Sequence, residues 1–303
     1  MSAAMLLLCA PAHAAPDRVD FDAGTAMGIP EPTAVQGFLR NTVLCPEGKS
    51  PYGGGAAVVG EGTRDFKTTI QESSPGTIGG GARTLWLASV RNNDSAAHTV
   101  GVFATCADKL AGYQKVSKTI AIPAGSAERT TVICPSGKVA LGGGAAVVGE
   151  GTRDFKTTIQ ETTPGTVGGG AYSLWGVSIR NDDNASHTVG FTVVCADPPA
   201  GYELVRRDLT VPAGGFLRDI VRCPSGKVAL GGGAAVVGEG SQDFKTAIQE
   251  TAPGTVGAND QSVWLTALRN GDAKSHQIGL FAACTNPPSG YHRARQDYSV
   301  PGV

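Results

Sequence analysis

Cys-x-x-Cys pairs, an apolar run long enough for a membrane-spanning helix, and an excess of charge of either sign are all missing from this 303-residue sequence. Each absence excludes something. Without Cys-x-x-Cys the usual zinc and redox signatures are gone, and without about 18 consecutive apolar residues no span is predicted. The 25 Lys and Arg against 26 Asp and Glu leave a formal charge of -1. No basic stripe is available to neutralise phosphates, so nucleic acid is not an expected partner. Phosphate-loop, nucleophile-elbow and His-Glu-x-x-His patterns are also missing, and no cofactor is predicted.

At the start, residues 3–10 are a short apolar stretch followed by Pro11 and Ala12-His13-Ala14, a small-x-small cleavage pattern before Ala15. This predicts a signal peptide over 1–14 that includes Cys9, and hence a secreted chain, either extracellular or held in the periplasm or at the cell surface. Six cysteines remain: Cys45, Cys106, Cys134, Cys195, Cys223 and Cys284. In an exported chain an even count at regular spacing reads as a disulfide framework. Fifteen connectivities are formally open, and the repeated spacing makes Cys45–Cys106, Cys134–Cys195 and Cys223–Cys284 the simplest.

Trp86, Trp175 and Trp264 recur every 89 residues, as do His98, His187 and His276, and Tyr113, Tyr202 and Tyr291. A period of this kind sets the architecture. Three units are read, at 36–124, 125–213 and 214–303, after an irregular head at 15–35. The joints at Pro123-Ala124-Gly125 and Pro212-Ala213-Gly214 are too short to be flexible tethers. Within the second unit the apolar residues alternate: Trp175, Val177 and Ile179 share a parity, as do Val189, Phe191, Val193 and Cys195. That pattern predicts strands and no helix. The expected fold is all-β, with three tandem disulfide-linked antiparallel β-sandwich modules of about 89 residues. Gly142-Gly143-Gly144 and its copies are expected to mark a bulge or a close backbone crossing. A closed ring of modules and a linear row satisfy the period equally well.

The string Cys134-Pro135-Ser136-Gly137-Lys138-Val139-Ala140-Leu141-Gly142-Gly143-Gly144, followed by a Trp strand, an Asn turn and Cys195-Ala196, resembles a tandem repeat of exported bacterial proteins of unassigned role. The likeness covers almost the whole chain after residue 36. It implies an extracytoplasmic β-module and brings no catalytic residues with it.

Comparing the copies locates candidate sites. Residues 142–170 match 53–81 at 26 of 29 positions, whereas 171–195 match 82–106 at only 13 of 25. Two explanations compete: a shared polar surface, or strand packing that tolerates little. The surface reading selects Glu61, Arg64, Asp65 and Lys67 with Gln71 and Glu72 in the first copy, Glu150, Arg153, Asp154 and Lys156 in the second, and Glu239, Gln242, Asp243 and Lys245 in the third. Gln242 replaces an Arg, so the third surface should differ. Glu150, Asp154 and Glu161 have the chemistry for acid–base work or Ca²⁺, with a solvated ion-pair patch as the plainer reading. His98, His187 and His276 would converge on one zinc only if a threefold arrangement brought them together; no metal site is predicted. Trp175 belongs to the core by parity, while Tyr202 is left open between core and exposed stacking platform. The expected function is a secreted, non-enzymatic, multivalent binding protein for a polysaccharide or other cell-surface component, because repetition of a weak site gains avidity. An extracellular structural protein that self-associates and a secreted hydrolase using Glu/Asp carboxylates are the alternatives.

Overall fold

A computed structural model describes residues 37–151, 153–240 and 243–303; the expected signal peptide, the head, and Gln242 lie outside the described residues. Each copy supplies six strands. The first has β1 (Phe38–Leu44), β2 (Ser50–Val58), β3 (Thr68–Ile78), β4 (Arg83–Asn92), β5 (His98–Ala107) and β6 (Gln114–Ile122). The second has β7 (Ala127–Ile133), β8 (Val139–Val147), β9 (Thr157–Val167), β10 (Tyr172–Asn181), β11 (His187–Ala196) and β12 (Glu203–Val211). The third has β13 (Phe216–Arg222), β14 (Val228–Val236), β15 (Thr246–Val256), β16 (Gln261–Asn270), β17 (His276–Thr285) and β18 (His292–Val300). The only helical segment among the described residues is a three-residue 3-10 turn, Gly79–Gly81.

The strands form three six-stranded antiparallel sheets, ordered β1-β4-β3-β8-β11-β6, β7-β10-β9-β14-β17-β12 and β13-β16-β15-β2-β5-β18. Every sheet therefore crosses a copy boundary. Its two halves meet at a single registered pair: Ser73 with Ala145, Thr162 with Ala234, or Thr251 with Ala56. A sandwich forms where a half-sheet such as β1-β4-β3 packs on β2-β5-β18. The last strand of each copy leaves its own sandwich and completes the next, since β6 pairs with β11 and β12 with β17. The final strand, β18, pairs with β5 of the first copy, from His292 opposite Cys106 to Val300 opposite His98. The arrangement is a closed ring.

The disulfides pair as the spacing suggested: Cys45–Cys106, Cys134–Cys195 and Cys223–Cys284, each with a Cα–Cα distance of 5.7 Å. Each bond joins the two layers of one sandwich. Cys45, for example, follows β1, while Cys106 lies on β5. Three such bonds place the chain in an oxidising extracellular or periplasmic environment. No helix among the described residues is long and apolar enough to cross a membrane.

The glycine triplets form the axis of the ring. A Cβ on Gly53, Gly142 or Gly231 would lie 2.2, 1.8 or 2.1 Å from the carbonyl oxygens of Leu230, Tyr52 and Leu141 respectively. Each contact runs to a different copy, so the three strands close on one another in a cycle. The ladder also slips beside each triplet, at Pro51/Gly53, Val194/Cys195 and Ala229/Gly231. Both expectations for the glycines are met, bulge and close crossing. The next glycine in each triplet carries an indole: a Cβ on Gly54 would meet Trp86 Cγ at 2.5 Å. The three tryptophans are buried, and their Nε1–H groups donate to Ser73, Thr162 and Thr251 at 2.9, 2.9 and 2.8 Å. Burial without a partner would have cost the indole its hydrogen bond. No room for a water remains between these glycines and indoles.

Candidate functional site

The polar segments singled out by their low divergence follow β2, β8 and β14. Each is built on a histidine clamp. His98 is buried, with Nδ1 2.8 Å from Glu61 Oε2 and Nε2 3.3 Å from Asp94 Oδ2. His187 lies 2.8 Å from Glu150 and 3.0 Å from Asp183, and His276 lies 3.0 Å from Glu239 and 2.8 Å from Asp272. Glu61 and Glu150 use their second oxygen to accept the backbone N–H of Thr99 and Thr188, and Glu239 accepts the N–H of Gln277 through the oxygen nearer His276. Phe66, Phe155 and Phe244 pack edge-on against the imidazoles. Both ring nitrogens are thus spent on carboxylates of the same copy. The three histidines hold three separate loops.

These contacts shift the carboxyls. Hydrogen bonding to His98 holds Asp94 below the usual range, and the bond to His276 does the same for Glu239. Glu150 is lowered first by the Thr188 N–H and then by His187. Burial works against ionisation of Asp183, but bonds from His187 and the Asn184 N–H outweigh it and the group is lowered. Arg64 and Arg153 lie over Phe66 and Phe155 and pair with Asp94 and Asp183 at 3.2 and 3.5 Å.

The aspartates reach across the ring instead. Asp154 accepts from Gln71 at 2.7 Å and pairs with Arg91, both in the first copy. Asp243 does the same with Gln160 and Arg180, and Asp65 with Gln249 and Arg269. Three equivalent bridges therefore encircle one end of the ring. Each also places Lys67, Lys156 or Lys245 at a positive φ of 51°, 51° or 48°, and the aspartate accepts the N–H of that lysine. A non-glycine residue in the left-handed region is uncommon and costs energy. The lysine side chains point outward and make no ion pair among the described residues.

A second set of joints lies beneath. Glu72, Glu161 and Glu250 are buried and pair with Arg40, Arg129 and Arg218 of the same copy at 2.6, 2.7 and 2.5 Å. They also accept the N–H of Val147, Val236 and Val58 of the next copy around the ring, at 2.7, 2.6 and 2.8 Å. Burial raises Glu161 and Glu250, opposed by their arginines. The importance of these glutamates is hard to read from alternation, because the face they occupy looks outward from its own copy and is covered by the neighbour. A bulge at Ile70/Glu72, and at the equivalent points in the other copies, sets their direction.

The least divergent stretch is therefore the one that assembles the ring. Of the residues singled out, the glutamates and aspartates at 61, 65, 150, 154, 239 and 243 fix loops and joints, Arg64 and Arg153 are half exposed, and the three lysines face solvent. Tyr202, left open above, is partly buried against the cluster around Leu141 and Leu230, where burial raises its hydroxyl pKa. Surface depressions occur on β7-β10-β9, with a volume of about 380 Å³, and beside Lys227 and Asp260 in the third copy, with about 520 Å³. No protein-family model and no curated protein matches the chain.

Proposed function

We propose that this is a secreted, non-enzymatic, multivalent binding protein that recognises a cell-surface glycan or another extracellular polymer. The supporting observation is the threefold set of outward lysines, each held in a left-handed conformation on a loop tied to two copies. Unusual backbone geometry that persists in all three copies is maintained against its cost, which is characteristic of contact residues. Tethering three equivalent cations on one rigid body raises the effective concentration of the second and third contacts. The carboxylates that a hydrolase would use are committed to histidines and to the joints, which favours binding over catalysis. Anionic and neutral polysaccharides immobilised on a sensor provide the test. The reading expects binding that weakens at least about tenfold in the triple variant Lys67→Ala/Lys156→Ala/Lys245→Ala, as expected for the loss of hot-spot contacts. Equal retention by the variant, or no retention of any polymer by the native chain, refutes it.

A further inference from the structure

The three outer sheet faces are related by the repeat, yet they differ at the centre. On β16 the outward side chain of Leu265 lies between Ile220 of β13 and Ala252 of β15. All three are buried, in a cluster with Val59 and Phe103. In the first copy the same position is Leu87, between Thr42 and Ser74. In the second copy it is Gly176, between Thr131 and Thr163, and the missing side chain leaves the depression of about 380 Å³.

What surrounds that depression is ordered along the strands. At one end Arg129 and Glu161 both lie in register with Ser178. Glu161 is 2% exposed, and its Oε2 lies 2.7 Å from Arg129 Nε. Thr131 and Thr163 follow at the level of Gly176, and Leu174 forms the next step. At the far end Tyr172 is 46% exposed, with Ile133 and Val167 also exposed on the same face. The first and third copies have Arg83 and Gln261 where the second has Tyr172. From Ser178 to Tyr172 the strip spans about 20 Å at the usual rise per residue.

We infer that the β7-β10-β9 face of the second copy is a single binding site for a short, extended, neutral carbohydrate chain. A sugar ring fits the hollow over Gly176 and offers hydroxyls to Glu161, Arg129 and the threonines. A following ring places its apolar face on Tyr172, since an aromatic with one open face supplies area at little entropic cost. The inference rests on the extracellular-glycan reading above for its ligand class, but not on the lysines, and this site is present once rather than three times.

Calorimetric titration of the whole chain with neutral gluco-, xylo-, manno- and chito-oligosaccharides of three to six units tests it. At least one series should bind the native protein. Gly176→Leu restores the residue of the other two copies, so the fold should be kept, as a thermal melt will verify, and the affinity should fall at least about tenfold. Tyr172→Arg, again a residue found in another copy, should weaken longer oligomers more than trimers. The triple lysine variant should bind oligomers normally, so failure of the multivalent reading and failure of this one are distinguishable. Unchanged binding in Gly176→Leu, no binding of any series, or a face that instead mediates dimerisation lost in Gly176→Leu each overturns the inference.

Discussion

The glycine axis makes a quantitative demand on stability. Replacing Gly142 by Ala places a Cβ 1.8 Å from the carbonyl oxygen of Tyr52 and 3.0 Å from the Cα of Gly53. Both obstacles are backbone, so no side chain can rotate away, and relief requires two copies to separate at the axis. Overpacking of a well-packed core ordinarily costs about 1–3 kcal/mol, and the absence of a movable partner puts this case at about 3 kcal/mol or above. Gly137 is the control, with φ at 78° and nothing within 4 Å of a built Cβ. Alanine there bears only the left-handed backbone penalty, about 1–2 kcal/mol. Urea unfolding of the oxidised proteins, followed by fluorescence and circular dichroism, compares them through midpoint and slope. Gly142→Ala should be the weaker protein by at least about 1 kcal/mol given these two penalties. Gly53→Ala and Gly231→Ala should fall beside it, because their contacts are equivalent. A Gly142→Ala midpoint equal to or above that of Gly137→Ala would refute the close crossing of the three copies.

Other outcomes follow from the joints, the carboxyls and the disulfides. Arg218→Met should cost about 3–5 kcal/mol, because it leaves Glu250 buried without its cation, whereas Arg218→Met/Glu250→Leu should recover much of that loss; denaturant titration of both variants decides it. Glu161 and Glu250 have raised folded-state values, so the stability they contribute is full below the unfolded carboxyl range and declines as pH rises through their folded values. Asp94, Glu150, Asp183 and Glu239 are lowered, so their contribution is present above the unfolded range and is lost as pH falls through their folded values. Denaturation curves from pH 3 to pH 8 should therefore show an acid limb that shrinks when the three clamp histidines are replaced by Phe, and an opposing decline with rising pH that shrinks in Glu250→Gln. Reducing one disulfide by paired Cys→Ala replacement should cost about 4 kcal/mol in the loop-entropy account, read as a lower urea midpoint.

Much of the architecture is legible in the sequence. Period, cysteine pairing and strand parity are local or repeated signals, and Trp175, Val193 and Cys195 are buried as their alternation requires. The phase of the sandwich is not legible, for a physical reason: a period has no origin, so dividing the chain at 36, 125 and 214 or one strand earlier fits the spacing equally well. Only pairing decides, and it gives β6 to the second sandwich and β12 to the third. The charged residues show the same limit. Asp154 and Glu161 read as surface residues when one copy is considered alone, and their partners Arg91 and Val147-type N–H groups of adjoining copies become visible only once the ring is closed. Gly176 carries a stronger signal than its context suggests, since it alone breaks a Leu position shared by the other copies.

The central claim is that the last strand of the chain completes the first sandwich. Native-state hydrogen–deuterium exchange, resolved by peptide, addresses this directly. Residues 292–300 should be protected as strongly as the equivalent strands at 114–122 and 203–211. Exchange of 292–300 at the rate of an unpaired terminus, with 98–107 unprotected on its outer edge, would contradict the closed ring.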